Sequence, residues 1–425
     1  MRKLALAAIA CVLALGVAAP AWAAEPHTGN YSGGKWDHLL PGVNYVEGEF
    51  LLRFKPGVDK SSAEQAVLAI GWNVSDAYLP GDGTVTVAAA FPEGMDIYEA
   101  EAQAYAELPI LRVDLNGIWS IPDLPRWERL GGRDALWTMA LISRSPAGFG
   151  GAGGTVVLAA SSGYWDALSA SALAGAEGTP VLLTDPSELS FPTRAELARL
   201  RPTRVIVAGG ERAVSARVEG QVCACLDAEV VRVAGDDAQG TARAFCERLG
   251  ARGGEAFVAS STSYHDALSI APYAYAKGAP VLLAGPDGRL SPETLELIED
   301  AGFEKVVVVG GPISVSSDVE AQLGARFFER VYGEDAVDTS AATVAWERAR
   351  GMGVSLMGVA SANGWHDALA GAALCGRNGS VLVLAAPDRM QAVESVLSDT
   401  GPEASGFIFG GLESVPKSVA DRLRS

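Results

Sequence analysis

Three acidic residues recur in matching surroundings. Asp166 stands in Tyr164-Trp165-Asp166-Ala167-Leu168, Asp266 in Tyr264-His265-Asp266-Ala267-Leu268, and Asp367 in Trp365-His366-Asp367-Ala368-Leu369. Three carboxylates brought near one axis could bind a cation or sugar hydroxyls. Tyr164, Tyr264 and Trp365 could each offer a flat apolar face with a polar tip to a sugar ring. The plainer reading is structural. An Asp at a helix start accepts orphan backbone N–H groups and suits the positive helix end, worth about 0.5–2 kcal/mol. The aromatics would then pack where one copy meets the next. Capping and packing are the preferred readings.

Catalysis and metal binding find less support. The chain has four His. His27 and His38 lie near the start, and His265 and His366 precede the repeated Asp. The first copy places Trp165 at that point, so the copies share no need for imidazole, and no catalytic or metal-ligating residue is assigned. No Gly-x-Ser-x-Gly elbow is present. Cys223-Ala224-Cys225, Cys246 and Cys375 are read as structural or free thiols, because no second Cys pair or His cluster stands at zinc spacing. If oxidised, four cysteines allow three pairings. Gly209-Gly210, Gly310-Gly311 and Gly410-Gly411 end apolar strands, where open parallel sheets take ligands. No Gly-x-x-x-x-Gly-Lys-Ser/Thr follows, so a tight turn is the preferred account, and no cofactor is expected.

The rest of the chain narrows the class. Its 425 residues are 49% hydrophobic and 20% charged, too apolar for a disordered chain. The net charge of −18 and the absence of a basic run argue against nucleic acid and against a polybasic membrane patch. Arg2 and Lys3 precede a continuous apolar run from Leu4 to Ala19, and Ala21-Trp22-Ala23 has the form of a cleavage site. Residues 1–23 read as a secretory signal peptide cut after Ala23. Lipidation at Cys11 is the runner-up. Cleavage removes two cations and takes the charge from −18 to −20. No later stretch is long and apolar enough to span a membrane.

The organising fact is a period of about one hundred residues. Pro180-Val181-Leu182-Leu183 returns as Pro280-Val281-Leu282-Leu283 and as Ser380-Val381-Leu382-Val383. Val205 to Gly210 returns as Val306 to Gly311 and Phe407 to Gly411. Each copy opens alike: Arg129, Gly132, Asp134, Thr138; Arg232, Gly235, Asp237, Thr241; Arg330, Gly333, Asp335, Thr339. The copies run 127–229, 230–329 and 330–425. Apolar strands at 155–159, 256–259 and 356–360 alternate with helices such as 241–249, 193–200 and 292–301. Fully apolar strands separated by helices predict a parallel sheet covered on both faces, hence an α/β unit built from right-handed crossovers.

The opening motif, the aromatic-x-Asp-Ala-Leu, the Pro-Val-Leu-Leu strand and the closing Gly-Gly resemble the cell-wall-binding repeat 2 family of Gram-positive surface proteins, over about 300 residues. The resemblance implies three Toprim-like α/β units in a pseudo-threefold arrangement that hold a protein non-covalently on anionic wall polymer. It also implicates Val181, Leu182, Leu183, Val281, Leu282, Leu283, Val381, Leu382 and Val383 in ligand contact. The family's Arg-Tyr after the opening Asp is replaced by Ala135-Leu136, Ala238-Gln239 and Ala336-Val337, so each copy has lost a cation. The third copy also lacks the Pro before its Val-Leu-Val.

Residues 24–48 read as a leader or linker. Within 49–122, strands at 49–54, 72–79, 84–91 and 110–115 and helices at 61–68 (capped by Ser61 or Ser62) and 98–108 give βαββαβ, a ferredoxin-like α+β unit. Pro80 to Gly83 is a turn, and Pro122 to Pro125 a linker. Phe50 to Gly57 and Leu108-Pro109-Ile110 resemble the prodomain of subtilisin-type proteases, although no protease follows. The expected function is a secreted, non-catalytic surface protein on the cell wall, with residues 49–122 facing a protein partner. The alternative is a protease inhibitor or chaperone acting in trans and only localised by the repeats. A hydrolase using the repeat clefts is the third class.

Overall fold

The computed structural model describes residues 44–78, 84–92, 95, 97–118, 127–150, 153–400 and 404–424. The stretches read from sequence as a signal peptide (1–23), most of a leader (24–48), a turn (80–83) and a linker (122–125) lie outside the described residues. The chain divides into two compact units, one before and one after residue 124 apart from a short early segment.

In the first unit, strands β1 (Asn44–Phe54), β2 (Asn73–Tyr78), β3 (Thr86–Ala90) and β4 (Ile110–Ile118) form one antiparallel sheet in the order β2-β3-β1-β4. Helix Lys60–Ala69 follows β1, and helix Ile97–Glu107 follows β3. Alternation along β1 sends Phe50, Leu52 and Phe54 into a core with Val67, Trp72, Val87 and Ala104. The first helix is capped by Asp59, not by Ser61 or Ser62. Asp59 stands immediately before Lys60, in extended backbone, and its carboxylate accepts from Ser62 N and Ser62 Oγ.

The second unit contains three four-stranded sheets, all parallel. β5 (Trp127–Leu130) opens it. β6 (Thr155–Ala160), β7 (Val181–Thr184), β8 (Arg204–Ala208) and β9 (Glu229–Val233) follow. Then come β10 (Glu255–Ser260), β11 (Val281–Ala284), β12 (Lys305–Val309) and β13 (Phe327–Val331), and last β14 (Gly353–Ser361), β15 (Ser380–Ala385) and β16 (Ser405–Phe409). The strand orders are β7-β6-β8-β9, β11-β10-β12-β13 and β15-β14-β16-β5. Each sheet takes its fourth strand from the opening segment of the next copy. The third takes it from the first, so β5 pairs with β16 and the three copies close into a ring.

One continuous apolar core runs through all three copies, from Trp127 to Leu423. Helices His265–Lys277 and His366–Arg377, which carry Asp-Ala-Leu, and Ser171–Glu177, which follows the short Asp-Ala-Leu helix Trp165–Ser169 of the first copy, pack against one another at its centre. Gly175, Tyr275 and Gly376 hold the same place in their copies. A Cβ on Gly175 would fall 1.9 Å from Tyr275 O, and one on Gly376 would fall 2.6 Å from Tyr275 Cβ. Gly175 lets the Tyr275 backbone come close, and Gly376 makes room for the start of the Tyr275 side chain.

Among the described residues no helix is long and apolar enough to cross a membrane. Strand β14 departs from its counterparts. It begins earlier than the apolar pattern suggests and carries register shifts near Leu356, which sits at φ 71°.

Candidate functional site

The opening motif and the Asp-Ala-Leu motif meet at the C-terminal edge of each sheet. Arg129 Nη1 donates to Gly410 O at 2.7 Å, Arg232 Nη1 to Gly209 O at 2.6 Å, and Arg330 Nη1 to Gly310 O at 2.8 Å. Each Arg thus ties its own copy to the Gly-Gly turn of the preceding one. The opening Thr accepts from the opening Gly N–H in every copy, at 3.0–3.1 Å. The opening Asp caps the first helix: Asp134 accepts from Trp137 N, Asp237 from Gly240 N, and Asp335 from Val337 N and Asp338 N. The motif is therefore a fastener, built from caps and charge-assisted hydrogen bonds.

The repeated Asp does different work from that expected. Tyr164, Tyr264 and Trp365 occupy the N-cap positions without side-chain caps, and Asp166, Asp266 and Asp367 lie inside the first turn. Their carboxylates press against the strand-ending glycines instead. A Cβ on Gly209, Gly310 or Gly410 would fall 2.0–2.5 Å from an Asp oxygen, and all three glycines have positive φ. Both facts exclude a side chain there, which supports the turn reading of the Gly-Gly pairs.

Burial raises Asp166, partly countered by the Thr241 hydroxyl and Arg232. Burial pushes Asp266 up to about 6 against Ser314 and Arg330. It raises Asp367 against Ser414, His366 and Thr138. Asp266 Oδ2 and Asp367 Oδ1 are buried without a hydrogen-bond partner.

The aromatics converge. The Tyr164 ring lies 5.5 Å from Tyr264 and 6.3 Å from Trp365. Tyr164 Oη donates to Ser261 O and Tyr264 Oη to Ala362 O, each at 3.1 Å. They pack at the meeting of the copies rather than standing as free platforms. The residue after each is the unexpected part. Trp165 Nε1 donates to Ser261 O, His265 Nε2 to Ala362 O at 2.8 Å, and His366 Nε2 to Ser161 O at 2.9 Å. These bonds run from copy one to two, two to three and three to one. What the copies share is a ring N–H donor, which indole and imidazole both supply. A carbonyl can only accept, so each imidazole carries its proton on Nε2. Burial also lowers the His265 pKa.

Val181–Leu183, Val281–Leu283 and Val381–Val383 form β7, β11 and β15, and their nine side chains are at most 2% exposed. They are core residues and offer no side chain to a ligand, because helices cover these strands. Ala135, Ala238 and Ala336 begin the first helices, where the family's cation would follow the capping Asp.

A groove of about 660 Å³ opens at the junction of the third and first copies. It is lined by Arg133, Asp134, Asn363, His366, Asp367 and Leu412 among others. Motif reading missed Arg133, Asn363 and Leu412. The signal for Arg133 was present: the residue between the opening Gly and Asp is Asp236 or Glu334 in the other copies. Cys223, Cys225, Cys246 and Cys375 are unpaired, the first two exposed and the others buried. Among the described residues no group of three His, Cys, Asp or Glu is arranged to hold a metal.

Comparison with known proteins agrees with this geometry. The family model "Cell wall binding domain 2 (CWB2)" matches residues 129–219, 232–320 and 330–420. The chain is 27% identical over 298 residues to N-acetylmuramoyl-L-alanine amidase LytC of Bacillus subtilis, covering 70% of this chain and 58% of the relative. It is 28% identical over 273 residues to the amidase enhancer of the same organism, covering 63% and 36%. The chain thus spans little more than half of the first relative and about a third of the second. Cwp8 from Clostridium difficile superposes with a TM-score of 0.61 at 24% identity, covering 70% of this chain and 51% of that one. Cwp6 from the same organism gives 0.61 at 18% identity, covering 85% and 61%. These two show a shared fold. With three matched repeats closed into one ring, the chain belongs to the cell wall binding domain 2 family.

Proposed function

We propose that this chain is a secreted, non-catalytic surface protein held non-covalently on the cell wall, with wall polymer lying in the grooves at the C-terminal sheet edges. One observation carries the reading: three family-matched repeats share a core and close on themselves, which leaves their junction edges as composite surfaces. Asp166, Asp266, Asp367, Tyr164, Tyr264 and Trp365 shape those grooves, and the nine strand residues support them from inside. The amidase activity in a relative's name is not carried over. His265 and His366 each give their Nε2 proton to a backbone carbonyl, and where His265 also meets a hydroxyl, Ser263 Oγ at 2.9 Å, a carbonyl and not a carboxylate stands on its other nitrogen.

Sedimentation with purified wall sacculi tests this, using the full chain after signal removal. Binding to intact sacculi and loss of binding after polymer extraction is expected. Failure to sediment in both cases overturns it.

Residues 49–122 support a second, separate role. Their βαββαβ order and β2-β3-β1-β4 sheet suit a ferredoxin-like module acting on a protein partner. Inhibition of subtilisin-type proteases by this unit is the measurement. No inhibition at micromolar concentration removes the inhibitor reading.

A further inference from the structure

The junction between the third and first copies, where the groove lies, differs chemically from the other two junctions. Arg133 stands where they carry Asp236 and Glu334. Its guanidinium lies 5.1 Å from the Trp137 ring centroid, with Nε 3.8 Å from the Asp134 carboxylate. His366 donates through Nε2 to Ser161 O, so its Nδ1 is left as an acceptor. In the second copy the same nitrogen of His265 is met by Ser263 Oγ at 2.9 Å, but Gly364 stands at that place here. Asn363 is exposed on the rim. Asp367 Oδ1 is buried with no hydrogen-bond partner. Leu412 is 41% exposed and supplies an apolar patch.

These groups decide the kind of ligand. The volume of about 660 Å³ lies within the usual range for a small-molecule site, roughly 300–1,000 Å³. Its one guanidinium is offset by Asp134, while Asp367 and Glu413 add further carboxylates to the lining. A phosphate there would meet more negative than positive charge at short range, where salt screens poorly. A sugar hydroxyl meets no such penalty. It donates to a carboxylate or to His366 Nδ1 and accepts from Arg133 or Asn363, and the C–H face of the ring can rest on Leu412.

We propose that this groove binds an uncharged, hydroxyl-bearing sugar residue of the wall polymer, and not its phosphate or carboxylate groups. The proposal rests on the wall-binding reading above and names the part of the polymer that is recognised. It also removes a conflict: a chain of charge −18 need not attract an anionic group if it reads the neutral one.

Ligand-observed saturation-transfer NMR on the full chain tests it directly. The probes are neutral oligosaccharides made by dephosphorylating extracted wall polymer, with inorganic phosphate and glycerol 1-phosphate as the anionic arm. The neutral probes are expected to show transfer that changes less than twofold between 50 and 500 mM NaCl. Asn363→Ala and Arg133→Ala, both at exposed positions, should each weaken it at least threefold. Asp367→Asn should weaken it about tenfold, with folding checked by circular dichroism. Glu334→Ala, at the counterpart position of another junction, should leave it unchanged.

Transfer to the anionic probes alone overturns the proposal, as does neutral transfer that none of the groove variants reduces. Sacculus sedimentation separates this from the broader reading. Neutral-sugar binding without sedimentation breaks wall retention alone, and sedimentation without neutral-sugar binding breaks this proposal alone.

Discussion

Arg129 and Arg232 hold the same place in their copies, yet the carbonyls they bind lie at very different separations along the chain. Gly410 is 281 residues from Arg129, whereas Gly209 is 23 residues from Arg232. Loop-closure entropy grows with the logarithm of length, so that difference makes the closing junction about 2 kcal/mol more costly to form. The chain itself keeps the internal junctions near their partners. The closing one depends on contacts alone: β5 beside β16, Arg129 on Gly410 O and Gly411 O, and His366 on Ser161 O. The junction that bears the groove is thus the one that tertiary contacts must hold shut.

The largest effect sets the scale for this comparison. Leu182→Ala in the first sheet and Leu382→Ala in the third should each cost about 2–5 kcal/mol, since both side chains are fully buried. Chemical denaturation should find the two similar, and wall binding per folded molecule should not change. A loss of affinity without a loss of stability would return these strands to the ligand site.

Next come the fasteners. Arg129→Ala and Arg232→Ala should each cost about 3 kcal/mol, the worth of charge-assisted bonds to buried carbonyls. Hydrogen exchange should tell them apart. The first should release β5 and open the groove while the other sheets stay protected, whereas the second should leave β9 in place. Equal release of both strands would show that chain continuity does not matter.

A pH effect belongs to the closing junction too. Burial pushes Glu128 of β5 up to about 7 from its ordinary 4.5, whereas its counterpart in β9 is Val231. A carboxyl raised on folding favours the folded state most when protonated. Its contribution is full below about pH 4.5, declines as pH rises toward 7 and is gone above that. Glu128→Gln should therefore stabilise the protein at pH 8 by up to roughly 3 kcal/mol and leave it unchanged at pH 4. Thermal melts at both pH values check this, and an equal shift at both would break the assignment.

The smallest effect concerns the ring donors. His366→Phe should cost about 1 kcal/mol by leaving Ser161 O without that donor. Trp165→Phe should cost less for the lost bond, because Tyr164 Oη also donates to Ser261 O. Melting temperatures of the two variants would sharpen or erase the difference.

Much of this was legible in the residues. The hundred-residue period, the apolar strands ending in Gly-Gly and the helices after Asp-Ala-Leu follow from local pattern, since each element is built from neighbours in sequence. The opening Asp residues cap helices for the same local reason. Three things depended on residues far apart. Val181–Leu183 and its counterparts read as apolar but could not be told apart as surface or core until the helices covered them. Asp166, Asp266 and Asp367 read as caps, but each packs against a glycine some forty residues on. The alternation of Trp165 with His265 and His366 looked like the loss of a function, until the acceptor carbonyl on the next copy revealed a common N–H donor. Sequence by itself determined the repeat, its strands and its helices, because hydrophobic periodicity and capping act over a few residues. Only the tertiary structure decided that the ring closes, that Tyr275 comes close to Gly175 and Gly376, and that a groove forms beside Arg133. Each of those depends on which copies come to lie side by side.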